Sequence, residues 1–166
     1  MHKLGRKALS AILTFALLAG LLPTAALAAG DTYTYLDDKG QPQTCTTATV
    51  VESSNKEHIE VDWSDTEGNN GWYVVTGSVS ISGRIVVTGE VHLILADSCT
   101  LNAQQGINVS TGNSLTIYGQ SKGTGALTAN VPAGELVAAI GGGYDPLNSY
   151  DGEDCGTVTI NGGHVT

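Results

Sequence analysis

The chain repeats one short pattern in three stretches, which read EVHLILAD at residues 90–97, NSLTIYGQ at 113–120 and GTVTINGG at 156–163. Each stretch carries a pair of apolar residues two positions apart: Leu93/Leu95, Leu115/Ile117 and Val158/Ile160. Alternate residues of a β-strand point to the same side, so each pair marks the buried face of one strand. Aligned on these pairs, the three stretches form one column of stacked strands.

Two further columns flank this one. The preceding column contains Ile85/Val87, Ile107/Val109 and, more loosely, Ala138/Ile140, and the following column contains Leu101, Leu127 and Val165. A full row, counted from Leu93 to Leu115, takes 22 residues. Three short strands per row, joined by Gly, Ser, Asn and Asp bends, predict an all-β parallel β-helix, also called a β-solenoid. An antiparallel sandwich also contains many short strands, but columns at a constant offset are not expected of it.

The first 28 residues read as a signal peptide rather than as part of the fold. A basic start with Lys3, Arg6 and Lys7 precedes an apolar run and the small-residue sequence Ala26-Leu27-Ala28. We therefore expect a secreted protein, found outside the cell or on a bacterial cell surface, with no membrane span after cleavage. Without residues 1–28, four basic residues face 16 acidic ones and the net charge is −12. This charge argues against nucleic acid and anionic membranes as partners.

The rest of the chain divides into two parts. Residues 29–70 are predicted to form an N-terminal β segment that caps the open end of the solenoid, because such ends need shielding. Residues 71–166 are predicted to form the coils, incomplete at the C-terminus, so that further coils or modules of a longer protein are expected. Trp63, Trp72 and Tyr73 either pack into the cap or form a sugar-stacking platform. Three cysteines, Cys45, Cys99 and Cys155, are an odd number, so at least one thiol is unpaired. We expect these cysteines to act as small, partly buried side chains that fill space.

Several phrases resemble those of a group of repeat-rich secreted and cell-surface proteins of Gram-positive bacteria, the carbohydrate-binding-domain or pectin-lyase-like group. The phrases are GWYVV (71–75), HLILAD (92–97), GINV (106–109), NSLTIYGQ (113–120), AIGGG (139–143) and GTVTINGG (156–163). The resemblance implies a right-handed parallel β-helix at a cell surface. It implies no activity, because no catalytic motif defines the group.

Catalytic chemistry is not expected of this chain. Glycoside hydrolysis needs two carboxylates close together, and the aligned outward positions place no carboxylate on another. Arg84 has no predicted acidic partner, and His92 reads as a solvated surface residue. We therefore predict a protein that is not an enzyme, with no catalytic residues.

Ligand binding is the alternative that the outward positions favour. In the alignment Thr116 lies beside Thr159 and Tyr118 beside Asn161, which gives a flat polar face with one aromatic ring. Hydroxyl and amide groups with a ring for stacking suit polysaccharide, although Thr and Asn also occur on ordinary strand surfaces. Tyr118 and Asn161 are thus candidate ligand-binding residues, and Tyr144 and Tyr150, in the insertion 141–154, are two more.

The same insertion is rich in the oxygen donors that calcium prefers. They are Asp145, Asn148, Asp151, Glu153 and Asp154. Their spacing matches neither an EF-hand nor a calcium-binding β-roll. We expect no cofactor, apart from a weak calcium site in this loop as a hypothesis.

The sequence therefore predicts a non-catalytic secreted or cell-surface β-helix module that binds polysaccharide or an envelope glycan, or acts as an adhesin. One alternative is a structural spacer module of a larger surface protein. Another is a fragment of a pectin-lyase-like, polysaccharide-degrading enzyme.

Overall fold

A computed structural model describes residues 31–55, 60–66, 68–143 and 152–166, and within them the chain is all-β. The predicted signal peptide lies outside the described residues. The hairpin strands are β1 (Tyr33–Leu36) and β2 (Pro42–Cys45). The next strands are β3 (Thr49–Val50), β4 (Val61–Ser64), β5 (Trp72–Val75), β6 (Ser78–Ile81), β7 (Ile85–Thr88), β8 (Glu90–Leu95) and β9 (Thr100–Ala103). The last are β10 (Ile107–Asn108), β11 (Ser114–Gly119), β12 (Ala126–Ala129), β13 (Ile140–Gly141), β14 (Thr157–Ile160) and β15 (His164–Val165).

The strands from β3 onward form three parallel sheets that the chain visits in turn. Sheet 1 has the order β13-β10-β7-β4, sheet 2 the order β14-β11-β8-β5-β3, and sheet 3 the order β15-β12-β9-β6. From β4 onward each strand pairs with the strand three places along the chain, as β5 does with β8 and β8 with β11, whereas β3 pairs with β5. This path is a β-solenoid of about three turns, and the predicted fold class is confirmed.

The core is a set of apolar columns running through the turns. In sheet 2 Tyr73 pairs with Leu93, Leu93 with Ile117, and Ile117 with Ile160. Leu93 and Ile117 are fully buried, whereas Ile160, on the last turn, is 53% exposed. Because each turn covers the apolar side of its neighbour, the burial that stabilises the fold accumulates from turn to turn.

The register of sheet 2 corrects the sequence alignment by two residues. Leu93 lies beside Ile117, not beside Leu115, whose partner is Val91. The repeat here is therefore 24 residues, although Ile85 and Ile107 in sheet 1 are 22 apart. A shift of two keeps every side chain on the same side of the sheet, so alternation alone does not distinguish the two registers. In sheet 1 the same correction applies, since Ile107 pairs with Ile140 and not with Ala138.

The hairpin β1–β2 is antiparallel and lies against the outer side of sheet 2. Cys45 of the hairpin packs in a small apolar cluster with the outward-facing Val74 and Ile94. Both of these side chains are fully buried because the hairpin covers them. The capping role assigned to residues 29–70 stays a prediction, since β3 and β4 belong to the solenoid sheets themselves and the hairpin lies on a side.

All three cysteines are free in the structure. Cys45 and Cys99 are buried and fill apolar space, as expected, whereas Cys155 is exposed. Within the described residues, no helix is both long and apolar enough for a membrane crossing.

Candidate functional site

Four rings meet on the outer side of sheet 2, and we call Tyr35, Trp72, His92 and Tyr118 the aromatic cluster. Strands β5, β8 and β11 supply Trp72, His92 and Tyr118, and the hairpin supplies Tyr35. Trp72 pairs with His92 in the strand register, so their side chains leave the sheet next to each other. Tyr118 stands beside Ile94 in the register, and its ring centroid lies 6.0 Å from that of His92 and 5.5 Å from that of Trp72.

The Trp72 ring is nearly parallel to those of both His92 and Tyr118. The centroids of Trp72 and His92 are 4.4 Å apart with planes inclined by 19°, and those of Trp72 and Tyr118 are 5.5 Å apart at 20°. The Tyr118 hydroxyl lies 3.3 Å from Nδ1 of His92. Offset or tilted ring pairs at such distances add stability beyond their buried area. The outer side of sheet 2 thus carries an ordered aromatic surface rather than scattered rings.

Burial in the aromatic cluster shifts the pKa values of His92 and Tyr118. Burial lowers the pKa of His92, and the carboxylate of Glu90 partly opposes this shift. Oε1 of Glu90 is 3.6 Å from Nε2 of His92, with the Glu90 side chain 71% exposed. Burial also raises the pKa of Tyr118, and the neighbouring Tyr35 and Glu90 add to the effect. At neutral pH the cluster is therefore uncharged.

A polar strip continues the aromatic cluster toward the last turn. Thr116 follows His92 in the register and Thr159 follows Thr116. The backbone N–H of Asn161 donates to the carbonyl oxygen of Ile117 at 2.8 Å, which places Asn161 at the level of Tyr118. Thr159 is exposed, and Thr116, Asn161 and Tyr118 are half-buried. The structure thus brings the two predicted ligand residues on the solenoid face, Tyr118 and Asn161, to the same place.

The insertion is only partly described. Tyr144, Tyr150, Asp145, Asn148 and Asp151 lie outside the described residues, so their predicted roles stay predictions. Glu153 and Asp154 are exposed and line a shallow hollow of about 290 Å³ with Ser110 and Thr111. Within the described ranges, no group of three or more His, Cys, Asp and Glu residues is placed to hold a metal ion. Calcium in this loop stays a hypothesis.

Arg84 has a structural role that the sequence did not reveal. Its Nη1 donates to the carbonyl oxygen of Gln105 at 2.7 Å, and Nη2 donates to that of Ala138 at 3.1 Å and to that of Gly142 at 3.5 Å. Burial lowers the pKa of Arg84, and Glu135, Glu153 and Glu60 oppose the shift. The guanidinium thus joins the turn that contains β10 to the segment around β13.

The grouping of the four rings does not follow from the sequence, for two reasons. The alignment placed His92 beside Ser114, so that the imidazole seemed isolated, and it separated Tyr118 from Ile94. The second reason is the hairpin, because no pattern in residues 31–45 indicates which side of the solenoid it covers. Trp63 and Tyr73 are buried in the core and stack on each other at 5.2 Å, so the suggested platform of three aromatics is wrong for these two. The sequence signal for this cluster was that Trp72 and His92 each occupy an outward position in the alternation of their strands.

Comparison of the chain with protein-family models, with curated proteins and with solved structures gives no match.

Proposed function

We propose that this protein is a non-catalytic, secreted β-solenoid module that binds a neutral polysaccharide on the outer side of sheet 2. The observation that carries the proposal is the juxtaposition of Tyr118, in a stack of parallel rings, with the uncharged strip of Thr116, Thr159 and Asn161. The proposal keeps the protein at a bacterial cell surface, as the sequence resemblance implies.

The chemistry of the two parts is complementary to a sugar polymer. A pyranose ring presents an apolar face of C–H groups, which packs on an aromatic face, and an edge of hydroxyls. Threonine hydroxyls and an asparagine amide donate and accept hydrogen bonds with such an edge. Neighbouring strands are about 4.8 Å apart, so the strip offers hydrogen-bonding side chains at this spacing on the two turns that contain β11 and β14. A rigid strip loses little conformational entropy on binding an extended chain.

Charge favours a neutral polymer over an acidic one. Without residues 1–28 the chain carries four basic and 16 acidic residues, a net charge of −12, and Glu90 stands at the edge of the site. The negative charge of the protein repels an anionic polysaccharide, whereas a neutral polysaccharide is not repelled. The polymer we propose is therefore rich in hydroxyls and free of uronate or sulfate groups.

A pull-down of the full chain on insoluble or immobilised polysaccharides tests the proposal. We expect retention on at least one neutral polymer, and loss of most of that retention in Tyr118→Ala and Asn161→Ala. Thr128→Ala is the matched control, because Thr128 is an exposed strand residue on the outer side of sheet 3. A folded sample that no neutral polymer retains contradicts the proposal. Each pull-down is repeated with calcium and with EDTA, which tests the hypothesis for Glu153 and Asp154.

A structural spacer is the second candidate, and the continuous core favours it. The columns of buried residues run without a break from Tyr73 through Leu93 to Ile117, which gives a stiff rod suited to hold other modules apart. A spacer binds no polymer, so the pull-down also separates the two candidates.

A further inference from the structure

We propose that the hairpin β1–β2 is a strap that occupies the aromatic part of the polysaccharide site and is displaced when the polymer binds. This inference rests on the proposed function and adds a regulation of the same site. Its starting observation is Tyr35, whose ring centroid lies 4.9 Å from that of Trp72 and 4.7 Å from that of Tyr118. Tyr35 thus covers the surface on which a sugar ring would stack.

The orientation of Tyr35 differs from that of the rings beneath it. Trp72 and Tyr118 are inclined by only 20° to each other with their centroids 5.5 Å apart, so these two rings form an offset stack. Tyr35 is inclined by 44° to Trp72 and by 60° to Tyr118. Its ring therefore meets both neighbours at an angle and lies flat on neither, and a sugar ring that stacks on one of them in its place can make a larger contact.

The hairpin is built as a unit separate from the solenoid. Its two strands form a sheet of their own, and within the described residues no backbone–backbone hydrogen bond joins that sheet to the solenoid. The connection is side-chain packing and the amide of Gln120, whose Nε2 donates to the carbonyl oxygen of Thr34 at 2.8 Å. At the tip, Oδ1 of Asp37 accepts the backbone N–H groups of Lys39 and Gln41. The hairpin can therefore detach from the outer side of sheet 2 without breaking any strand pair of the solenoid.

Apolar contacts keep the strap closed when no ligand is present. The hairpin buries Val74 and Ile94 completely, and Cys45 is 6% exposed. Opening returns these side chains to water, so the open state is the minor one. The apparent affinity for polymer is then reduced by the open fraction, and any change that loosens the strap raises it.

Binding by variants of Tyr35 tests the strap. In the full chain, Tyr35→Ala removes the ring that occupies the site, and we expect its apparent affinity for the retained neutral polymer to rise by roughly tenfold. Tyr35→Phe keeps the ring and is the matched control, with an unchanged affinity expected. Adding Tyr118→Ala to Tyr35→Ala abolishes binding if both act at one site. Weaker binding by Tyr35→Ala than by the unmodified chain overturns the proposal, because Tyr35 then contributes to binding.

Alkylation of Cys45 in the unmodified chain is a second test that needs no variant. Its thiol lies on the side of the hairpin that packs on Val74 and Ile94 and becomes accessible only when the strap opens, whereas Cys99 is buried inside the solenoid. With iodoacetamide and peptide mass spectrometry, we expect saturating polymer to speed the labelling of Cys45 and to leave that of Cys99 unchanged. Binding without faster labelling of Cys45 overturns the strap and leaves the proposed function standing. If neither the unmodified chain nor Tyr35→Ala binds any polymer, both proposals fall.

Discussion

Ile94 shows that the contribution of a strand residue to stability depends on what covers its side chain, and not only on the side of the sheet to which it points. It points away from the solenoid core, yet it is fully buried because Cys45 and the rest of the hairpin cover it. Outward alternation on a strand predicts an exposed side chain, and here the prediction is wrong. The difference is measurable as stability.

Ile94→Ala is expected to lower the free energy of unfolding by about 3 kcal/mol, since it removes buried methyl groups and leaves a cavity under the hairpin. Thr116→Ala, on the neighbouring strand of the same face, is the control, with a change within about 0.5 kcal/mol. Urea unfolding of both variants checks the pair. Equal, small effects would show that the hairpin does not cover this face in solution.

His92 predicts a pH dependence of stability. Its folded pKa lies below the ordinary value of 6.5 because of burial. The unfolded chain therefore binds a proton more readily, and stability rises with pH in the window between the folded pKa and about 6.5. Below that window the loss is complete. His92→Phe keeps a ring on Trp72 and has no titrating group.

The melting temperature of the unmodified chain, minus that of His92→Phe, is expected to fall as the pH is lowered from neutral through 6.5. Thermal unfolding followed by circular dichroism at a series of pH values checks this. A difference that is independent of pH, or that grows as the pH falls, contradicts the buried state of His92.

At the corners between strands, glycines with a left-handed backbone differ in how closely the next turn approaches them. Gly106 precedes β10 with a φ of +74°, and a Cβ there would lie 2.5 Å from the carbonyl oxygen of Ala139 on the next turn. Gly77, at another corner, has a φ of +84° and nothing within 4 Å of its Cβ position. The two glycines share the left-handed backbone, which favours glycine, and differ only in the space around them.

Gly77→Ala is therefore expected to destabilise the fold by about 1 kcal/mol through backbone strain alone. Gly106→Ala adds a collision with the neighbouring turn, and we expect it to cost at least about 1 kcal/mol more. Urea unfolding of the two variants measures the difference. Equal costs would mean that the turns are not in contact at this corner.

The elements also show what sequence alone can establish. The alternation of Leu115 and Ile117 fixed which side of each strand is buried, and the recurrence of that pattern predicted stacked parallel strands. Alternation did not determine which residues of neighbouring turns lie side by side. Val91, Leu93 and Leu95 are all apolar and face the same side, so the pair Leu115/Ile117 can align with either Val91/Leu93 or Leu93/Leu95. The position of the hairpin depends on side-chain packing between segments far apart in sequence. The polar strip and Tyr118 were thus predictable, whereas the grouping of Tyr118 with Tyr35, Trp72 and His92 was not.

For the whole molecule, net charge and the site together predict how binding responds to salt. The site presents uncharged groups to the polymer, so retention on a neutral polysaccharide is expected to be nearly the same at low and high salt. Retention on an acidic polysaccharide, in contrast, is expected to be weak at low salt and to improve as salt screens the repulsion. Pull-downs across a salt series check both expectations. A steep loss of neutral-polymer binding with salt would contradict an uncharged interface.

The central claim is that polysaccharide contacts the aromatic surface on the outer side of sheet 2, and the fluorescence of Trp72 tests it most directly. Of the two tryptophans, Trp63 is buried in the core and Trp72 lies in the aromatic cluster, so Trp63→Phe leaves Trp72 as the only reporter. Titration of this variant with a soluble form of the retained polymer is predicted to give a saturable change in emission. Trp72→Phe, titrated in the same way, is predicted to give none. Binding of the polymer with no change in the emission of Trp72 would contradict the account.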